Sequence, residues 1–188
     1  DGLVLELGSG GSTLEQYDNT IVTSDVVPGV AERVIDARSL PFEDGSLKAI
    51  VLSHVFHHIP DVELFLREAS RVLVDDGVIS MIEVAHTPFA RLFFQHFHPE
   101  PYEDEATTWS FGQADSMMDS NQALSWMVFE RDRREMASKF PEFEVSAPQF
   151  LPWLSYLLSG GVTMRELVPR AFAPLVLWGD RVVRPLDG

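Results

Sequence analysis

The first half of the chain alternates short apolar runs with polar turns. The apolar runs lie at residues 3–5, 20–23, 33–35, 47–52 and 78–84. Strands of a parallel sheet are buried on both faces and read as short, near-continuous apolar stretches. We therefore predict five parallel strands, numbered one to five in chain order.

The connections between these runs differ in length. From Asp61 to Val72, apolar side chains recur at intervals of three and four, and the sequence DDG follows at 75–77, which predicts a helix between strands four and five. Only ten residues separate Asp25 from Asp36, and a crossover helix with its strand needs more. We expect a loop in place of that helix.

Beyond residue 85 the regular alternation stops. Residues 88–97 form an apolar, aromatic stretch that predicts a helix, and residues 103–120 have no period and predict a long loop. Because long ordered loops often carry function, we interpret both segments as a cap beside the sheet.

The last part of the chain is less regular. Residues 122–140 predict a helix that is capped by Ser120 or Asn121 and ended by a proline. Residues 143–146 alternate apolar and polar side chains, which predicts a late strand. The tail then predicts short apolar helices that prolines separate.

Acids and small residues stand at the predicted carboxyl ends of the strands. Glu6 follows the first apolar run and precedes the loop 8–10, of sequence GSG, while Asp25 and Asp36 each end a later run. Since parallel strands present their carboxyl ends at one edge of the sheet, we expect these residues to lie close together. Glycines let a backbone approach its ligand and acids bind sugar hydroxyls, so this edge predicts a nucleotide-cofactor site.

Four ordered motifs within residues 3–84 resemble class I S-adenosylmethionine-dependent methyltransferases, especially a small-molecule subgroup with an LPF turn. They read ELGSGGS, SD, DARSLPFEDGSLKAIVLSHVFHHIPD and FLREASRVLVDDGVISMIEV. The resemblance implies a Rossmann-like methyltransferase fold: an α/β, doubly wound, mostly parallel sheet with a helical and loop cap after strand five. Ser12 departs from the family pattern, because many members carry a third glycine there.

The resemblance also implies S-adenosyl-L-methionine as the cofactor and a small molecule as the methyl acceptor. The cofactor-binding residues that it implies are Glu6, Gly8, Ser9, Gly10, Asp25, Asp36, Ala37, Ser53 and His54. Residues 1–85 would then form the cofactor-binding half of a single domain, 86–140 a cap for the substrate, and 141–188 a late strand and C-terminal helices. Members of the family usually carry a helix before strand one, and loss of that helix would weaken cofactor binding.

Methyl transfer to a hydroxyl requires the removal of one proton, and histidine suits that task near neutral pH. We select His57 and His98 as catalytic candidates, and Glu83, His98, Glu100 and Trp109 as substrate-binding candidates. Each has a structural alternative, since such residues also cap loops or pack a cap against a sheet.

A metal site is not expected. His54 and His58 have the i, i+4 spacing of helical zinc ligands, but the glutamate of a zinc hydrolase does not lie between them. No third ligand is close to them in sequence.

The charge and composition of the chain exclude several classes of binding partner and metal site. The chain has 14 basic and 29 acidic residues and a net charge of −15, which opposes binding to the phosphates of a nucleic acid. The absence of cysteine excludes disulfides and thiolate metal sites.

The apolar tail at 175–178 is too short to span a membrane, and we expect it to pack on the core rather than on a membrane surface. The start of the chain shows no signal region, so we expect a cytoplasmic enzyme; its oligomeric state stays open.

The sequence leaves open the identity of the methyl acceptor and two other classes of function. The segments HPEPYEDEATTW, NQALSWMVFERDRREM and YLLSGG resemble bacterial methyltransferases that accompany polysaccharide assembly, and this resemblance favours a sugar-containing or lipid-linked acceptor. A nicotinamide-dependent oxidoreductase shares the glycine turn and the acid ending strand two, but Thr13 replaces its third glycine and Glu6 has no role in it. A noncatalytic protein that binds S-adenosylmethionine also remains open.

Overall fold

The computed structural model describes residues 2–11, 14–112, 119–149, 170–172 and 174–178 of the 188-residue chain. The chain divides into two compact units, Asp1–Val145 and Ser146–Gly188. The sheet and the predicted site residues all lie in the first unit.

The first unit is built on a sheet of five parallel strands. The strands are β1 (Leu3–Leu7), β2 (Ile21–Asp25), β3 (Arg33–Val34), β4 (Leu47–Ser53) and β5 (Leu73–Ile82). Their order across the sheet is β3-β2-β1-β4-β5. The chain therefore runs outward from β1 in one direction and then from β4 in the other, which confirms the predicted doubly wound α/β sheet. Ligands of such sheets bind at the carboxyl edge where the direction reverses, between β1 and β4.

The core lies where β1 and β4 meet the first long helix. Leu5, Ile50 and Leu52 are fully buried in these two strands. Helix α1 (Val62–Val72) contributes to the same buried cluster an apolar face that includes Phe65, also fully buried. The Asp61 side chain caps this helix by accepting the Leu64 N–H at 3.1 Å, as its sequence position predicts.

The short connection between β2 and β3 is a loop, as predicted. Residues 26–32 form no helix, and β3 is only two residues long. Ile35, which was predicted to belong to this strand, lies just beyond it and is buried, with its N–H donating to Asp25 O at 3.1 Å.

Strand β5 differs from its predicted bounds. It begins at Leu73, which pairs with Leu47, and the next pair is Val78 with Ala49, so the intervening residues bulge out of the sheet. Gly77 lies in this bulge, where a Cβ would lie only 2.8 Å from Val74 O. The sequence DDG, which we expected to end the helix, therefore forms a bulge inside the strand.

The helix predicted over 122–140 is interrupted. Helix α3 (Leu124–Trp126) continues into a π-helical turn (Met127–Arg131), and α4 (Arg133–Lys139) follows. Asp132 marks the break: its N–H donates to Met127 O at 2.8 Å, and its carboxylate accepts the indole N–H of Trp109 at 2.9 Å. A tertiary contact thus overrides the helical period.

The predicted late strand is wrong. Residues 142–149 have no regular structure, and Val145 O accepts a hydrogen bond from Arg133 Nη2 at 3.1 Å. Phe143 and Val145 are partly buried against the core, so their alternation reflects packing of a loop. The cap helix is confirmed as α2 (Pro88–His96).

The second unit is described only in short pieces. Residues 170–172 form a 3₁₀ turn and residues 174–178 are helical. Most of the segment for which apolar helices were predicted lies outside the described residues.

Candidate cofactor and acceptor site

The loop after β1 passes close to the segment after β4. Gly8 has a φ of 62°, and a Cβ on it would lie 2.5 Å from Val55 Cγ2, so glycine is required there. Gly10, with a φ of 54°, also adopts the left-handed conformation that glycine favours. The two glycines give the loop its tight turn at the point where the sheet reverses direction.

Ser9 fastens this loop to β2. Its N–H donates to Ser24 O at 2.8 Å, and its Oγ donates to Glu6 O at 3.1 Å and accepts the Ser24 N–H at 3.0 Å. The side chain of Ser9, which was predicted to contact the cofactor, is therefore engaged in shaping the loop.

Glu6 is a buried acid at the end of β1. It is 4% exposed, and its Oε2 has no hydrogen-bond partner among the described residues. An unpaired carboxylate oxygen in a protein interior carries a large desolvation cost. Its position at the reversal point of the sheet fits the binding of a cationic or hydrogen-bond-donating group of a ligand.

Asp25 ends β2 beside the glycine loop. Its Oδ2 accepts the Gly10 N–H at 3.2 Å and its Oδ1 accepts the Val27 N–H at 2.9 Å. A carboxylate offers about four acceptor sites, so Asp25 retains capacity for two ligand hydroxyls. The structure thus brings Asp25 and the glycine loop together, as the sequence predicted.

Asp36 is held differently from the prediction. Its carboxylate accepts hydrogen bonds from the Arg38 guanidinium, among them Nε to Oδ1 at 3.0 Å and Nη2 to Oδ2 at 2.7 Å. Hydrogen bonding to Arg38 holds the pKa of Asp36 below its ordinary value, against the opposing effect of burial. Ala37 beside it packs partly buried against the core. Any ligand that binds Asp36 must share its oxygens with Arg38.

The end of β4 makes a sharp turn at His54. Ser53 pairs with Ile82 of β5, and the next residue, His54, has a φ of 56° while its N–H donates to Ile82 O at 2.9 Å. A left-handed conformation is unusual for a residue other than glycine and often marks a functional turn. Burial lowers the pKa of His54, so its imidazole favours the neutral form.

A second polar cluster lies after β4 and β5. Glu83 follows β5; its Oε1 accepts the N–H groups of Val55 at 3.0 Å and Phe56 at 2.8 Å, and its Oε2 lies 2.6 Å from His57 Nδ1. On the other side of the ring, His57 Nε2 lies 3.5 Å from Glu100 Oε2. The buried His57 ring is therefore held between two carboxylates.

The charges in this cluster are strongly coupled. Burial acts to lower the pKa of His57, but Glu100 and Glu83 outweigh it and raise that pKa to about 9. Interaction with His57, followed by smaller effects of His58 and Gln122, lowers the pKa of Glu100 to about 2. With these values and no other ligand, His57 carries a proton at neutral pH, which is the wrong state for a general base.

His58 was considered as a histidine that could remove a proton but was not selected, and Gln122 was not a predicted site residue, yet both join this cluster. His58 Nε2 lies 3.9 Å from Glu100 Oε2, and the Gln122 amide hydrogen-bonds to the same oxygen. No sequence signal links these residues, because Glu100 and Gln122 follow the His57-His58 pair by many positions. Only the folded cap brings them together.

His98 and Trp109 take different positions. The His98 ring packs on Phe94 with centroids 4.8 Å apart, and its Nδ1 accepts the Glu100 N–H at 3.3 Å, which places it beside the cluster. Trp109 is buried and does not share these contacts. Its indole N–H donates to the Asp132 carboxylate, and Lys139 Nζ lies 4.8 Å from its ring centroid. Its contacts support a packing role rather than the predicted contact with substrate.

Residues 5–81 match the family described as "Methyltransferase domain". The match confirms the class I S-adenosylmethionine-dependent methyltransferase resemblance that the motifs indicate.

Solved structures that match part of this chain include YcgJ of Bacillus subtilis, at 24% identity over 51% of this chain and 50% of that chain, with a TM-score of 0.42. A methyltransferase of Thermotoga maritima, described as a possible histamine N-methyltransferase, is 20% identical over 50% of this chain and 51% of that chain, with a TM-score of 0.44. The match spans about half the length of each of these two structures.

The methyltransferase match covers the residues at the ends of β1, β2 and β4 but not the polar cluster that includes Glu83 and Glu100. It includes the glycine loop, Asp25, Asp36 and the turn at His54, but it ends before Glu83. The residues of the cap lie wholly beyond it. No helix in the described part of the chain is long and apolar enough to cross a membrane.

Proposed function

We propose that this chain is an S-adenosylmethionine-dependent methyltransferase that acts on a small, hydroxyl-bearing molecule. The observation that carries the proposal is the buried Oε2 of Glu6, which has no partner among the described residues and stands beside a left-handed glycine loop. The ammonium group of the methionine moiety would supply the missing donor, as a charge-assisted hydrogen bond.

The residues at this edge fit the rest of the cofactor. Asp25 offers acceptor capacity for the two ribose hydroxyls. Asp36 and Ala37 stand where the adenine edge would bind, with Asp36 shared with Arg38. Ser53 and His54, at the end of β4, would line the methyl donor. When bound, the cofactor supplies an electrophilic methyl group on a sulfonium, whose departure as a neutral thioether needs no acid.

The protein therefore has two tasks toward the acceptor, alignment and proton removal. We place the acceptor near Glu83, His57, His98 and Glu100, after the carboxyl ends of β4 and β5. Histidines and carboxylates bind hydroxyl groups well, which favours a polyol or sugar-containing acceptor. Phosphate-rich acceptors are disfavoured by the net charge of −15.

Calorimetric titration with S-adenosylhomocysteine and, separately, with NAD⁺ and NADP⁺ tests the proposal against an oxidoreductase. We expect saturable binding of S-adenosylhomocysteine alone. Binding of a dinucleotide without a response to S-adenosylhomocysteine would reverse the assignment. An acceptor screen with radiolabelled methyl donor then separates an enzyme from a noncatalytic binding protein.

A further inference from the structure

We propose that His57, His58 and Glu100 form a binding site for a first-row divalent transition-metal ion, with Zn²⁺ as the reference ion. One ligand atom from each residue lies within 4.8 Å of the others. Oε2 of Glu100 lies 3.5 Å from His57 Nε2 and 3.9 Å from His58 Nε2.

The two distances to Glu100 Oε2 are close to what a tetrahedral ion requires. Zinc binds histidine nitrogen and carboxylate oxygen at about 2.0–2.2 Å, which separates two tetrahedral ligand atoms by about 3.4 Å. The two distances to Glu100 Oε2 exceed this by about 0.1 and 0.5 Å, and the 4.8 Å limit that holds for the whole group is larger. Binding of an ion therefore requires rotation of the partly buried His58 and Glu100 side chains. The same distances are long for direct hydrogen bonds.

The two histidines are held in the tautomer that a metal needs. Glu83 Oε2, 2.6 Å from His57 Nδ1, can only accept when ionised, and the Asp119 carbonyl, 3.4 Å from His58 Nδ1, can only accept. Both Nδ1 atoms therefore carry hydrogens, and Nε2 is the nitrogen of each ring that an ion can bind. In His57 the ion would displace the proton from Nε2. A carboxylate or carbonyl behind a ligating histidine is the usual supporting arrangement of metal sites.

The donor set selects the kind of ion. Two imidazole nitrogens and one carboxylate are the protein ligands of open catalytic zinc sites, which leave a fourth position for water or substrate. Mg²⁺ and Ca²⁺ favour sets of oxygen ligands. The side chains of His58 and Glu100 are 28% and 17% exposed, so an ion reaches the site from the surface.

The segment that backs the site contains polar atoms without partners. Ser120 Oγ and Gln122 Oε1 are buried and have no hydrogen-bond partner among the described residues. This segment contacts two of the three ligands, through the Asn121 N–H to His57 O at 2.9 Å and the Gln122 amide to Glu100. Water molecules that complete an ion's coordination would satisfy such atoms.

Our expectation of no metal considered the pair His54 and His58 alone. The structure pairs His58 instead with its neighbour His57, and the third ligand comes from the cap. The proposal does not depend on the methyl donor, so its failure would leave the proposed function intact, and the reverse also holds.

The test is titration of the chelator-treated full chain, purified without a histidine tag, with Zn²⁺ by calorimetry and with Co²⁺ by visible absorption. We expect one ion per chain with a dissociation constant of about 1 µM or below, and ligand-field bands from Co²⁺. His58→Asn and Glu100→Gln should each weaken Zn²⁺ binding by at least about tenfold. The matched control His96→Asn removes an exposed histidine of α2 and should bind as the unchanged chain does.

Three results would overturn the proposal. The first is absence of both Zn²⁺ binding and Co²⁺ bands in the unchanged chain, which would leave a proton between His57 and Glu100. The second is unchanged affinity in His58→Asn and Glu100→Gln, with circular dichroism confirming that both fold. The third is an equal loss in His96→Asn, which would assign the binding to surface histidines.

Discussion

Gly8 leaves no room for a side chain, because Val55 Cγ2 would lie 2.5 Å from its Cβ. This contact joins the loop after β1 to the segment after β4, the two strands between which the sheet changes direction. The shape of the proposed cofactor site therefore depends on one close approach between a glycine and a valine.

Gly8→Ala should lower the free energy of unfolding by about 2–4 kcal/mol, because it adds a steric clash to a left-handed backbone. Gly10→Ala is the matched control: its φ is 54°, but nothing lies within 4 Å of its Cβ position. That change should cost only about 1 kcal/mol. Urea unfolding measures both, and equal losses would show that the contact with Val55 has no effect. The double variant Gly8→Ala, Val55→Ala should recover part of the loss.

Glu83→Ala should destabilise the protein by about 3 kcal/mol, because it leaves the N–H groups of Val55 and Phe56 unpaired and removes the partner of His57. Glu105→Ala is the control, since its side chain is 91% exposed, and should change stability by less than about 0.5 kcal/mol. Thermal or urea unfolding compares the two. A small effect of Glu83→Ala would mean that the segment after β4 is held by packing alone.

Much of the sheet edge at which we propose that the cofactor binds follows from local sequence. The apolar runs, the GSG loop and the acids that end β1 and β2 all obey short-range rules, and the parallel sheet brings them to one edge. The loop replacing the second crossover helix also followed from chain length alone. The roles of Ala37 and His54 toward a cofactor stay predictions.

The features of the fold and of the site that the sequence did not predict depend on contacts between residues far apart in the chain. The π-helical turn at Asp132 forms around Trp109, and the bulge before Gly77 follows from the pairing of Leu73 with Leu47. The predicted strand at 143–146 failed because an alternating pattern does not distinguish a strand from a packed loop. The cluster at Glu100 needs the folded cap, which no local period predicts.

Glu68→Gln should show a stability loss that depends on pH. Glu68 accepts the Leu40 N–H at 2.8 Å and binds Arg71, and hydrogen bonding to Arg71 is the largest cause of its lowered pKa. A carboxyl group with a lowered folded pKa stabilises the protein fully above its unfolded pKa of about 4.3 and loses that effect as pH falls through the folded value.

The variant should therefore be less stable than the unchanged chain by about 1 kcal/mol at pH 7, with the difference closing at acidic pH. Urea unfolding across this range provides the comparison. A difference of the same size at every pH would exclude a contribution from the charge of Glu68.

Asp25→Ala and Asp36→Ala test the two acids proposed to bind the adenosine. Each should weaken S-adenosylhomocysteine binding by more than about 1 kcal/mol, roughly a fivefold change, through lost charge-assisted hydrogen bonds. Arg38→Ala, which releases Asp36 from its ion pair, tests whether that pair competes with the ligand; we expect binding as tight or tighter. Unchanged affinity in both aspartate variants would remove the assignment of the adenosine site.

The most direct test of the account is the affinity of Glu6→Gln for S-adenosylhomocysteine, measured by calorimetry beside the unchanged chain and the exposed control Glu105→Gln. The unchanged chain and the control should bind one ligand with equal affinity, while Glu6→Gln should bind at least about tenfold more weakly because it loses the carboxylate charge. Equal binding by all three proteins, or no binding by the unchanged chain, would contradict a methyl-donor site at the end of β1.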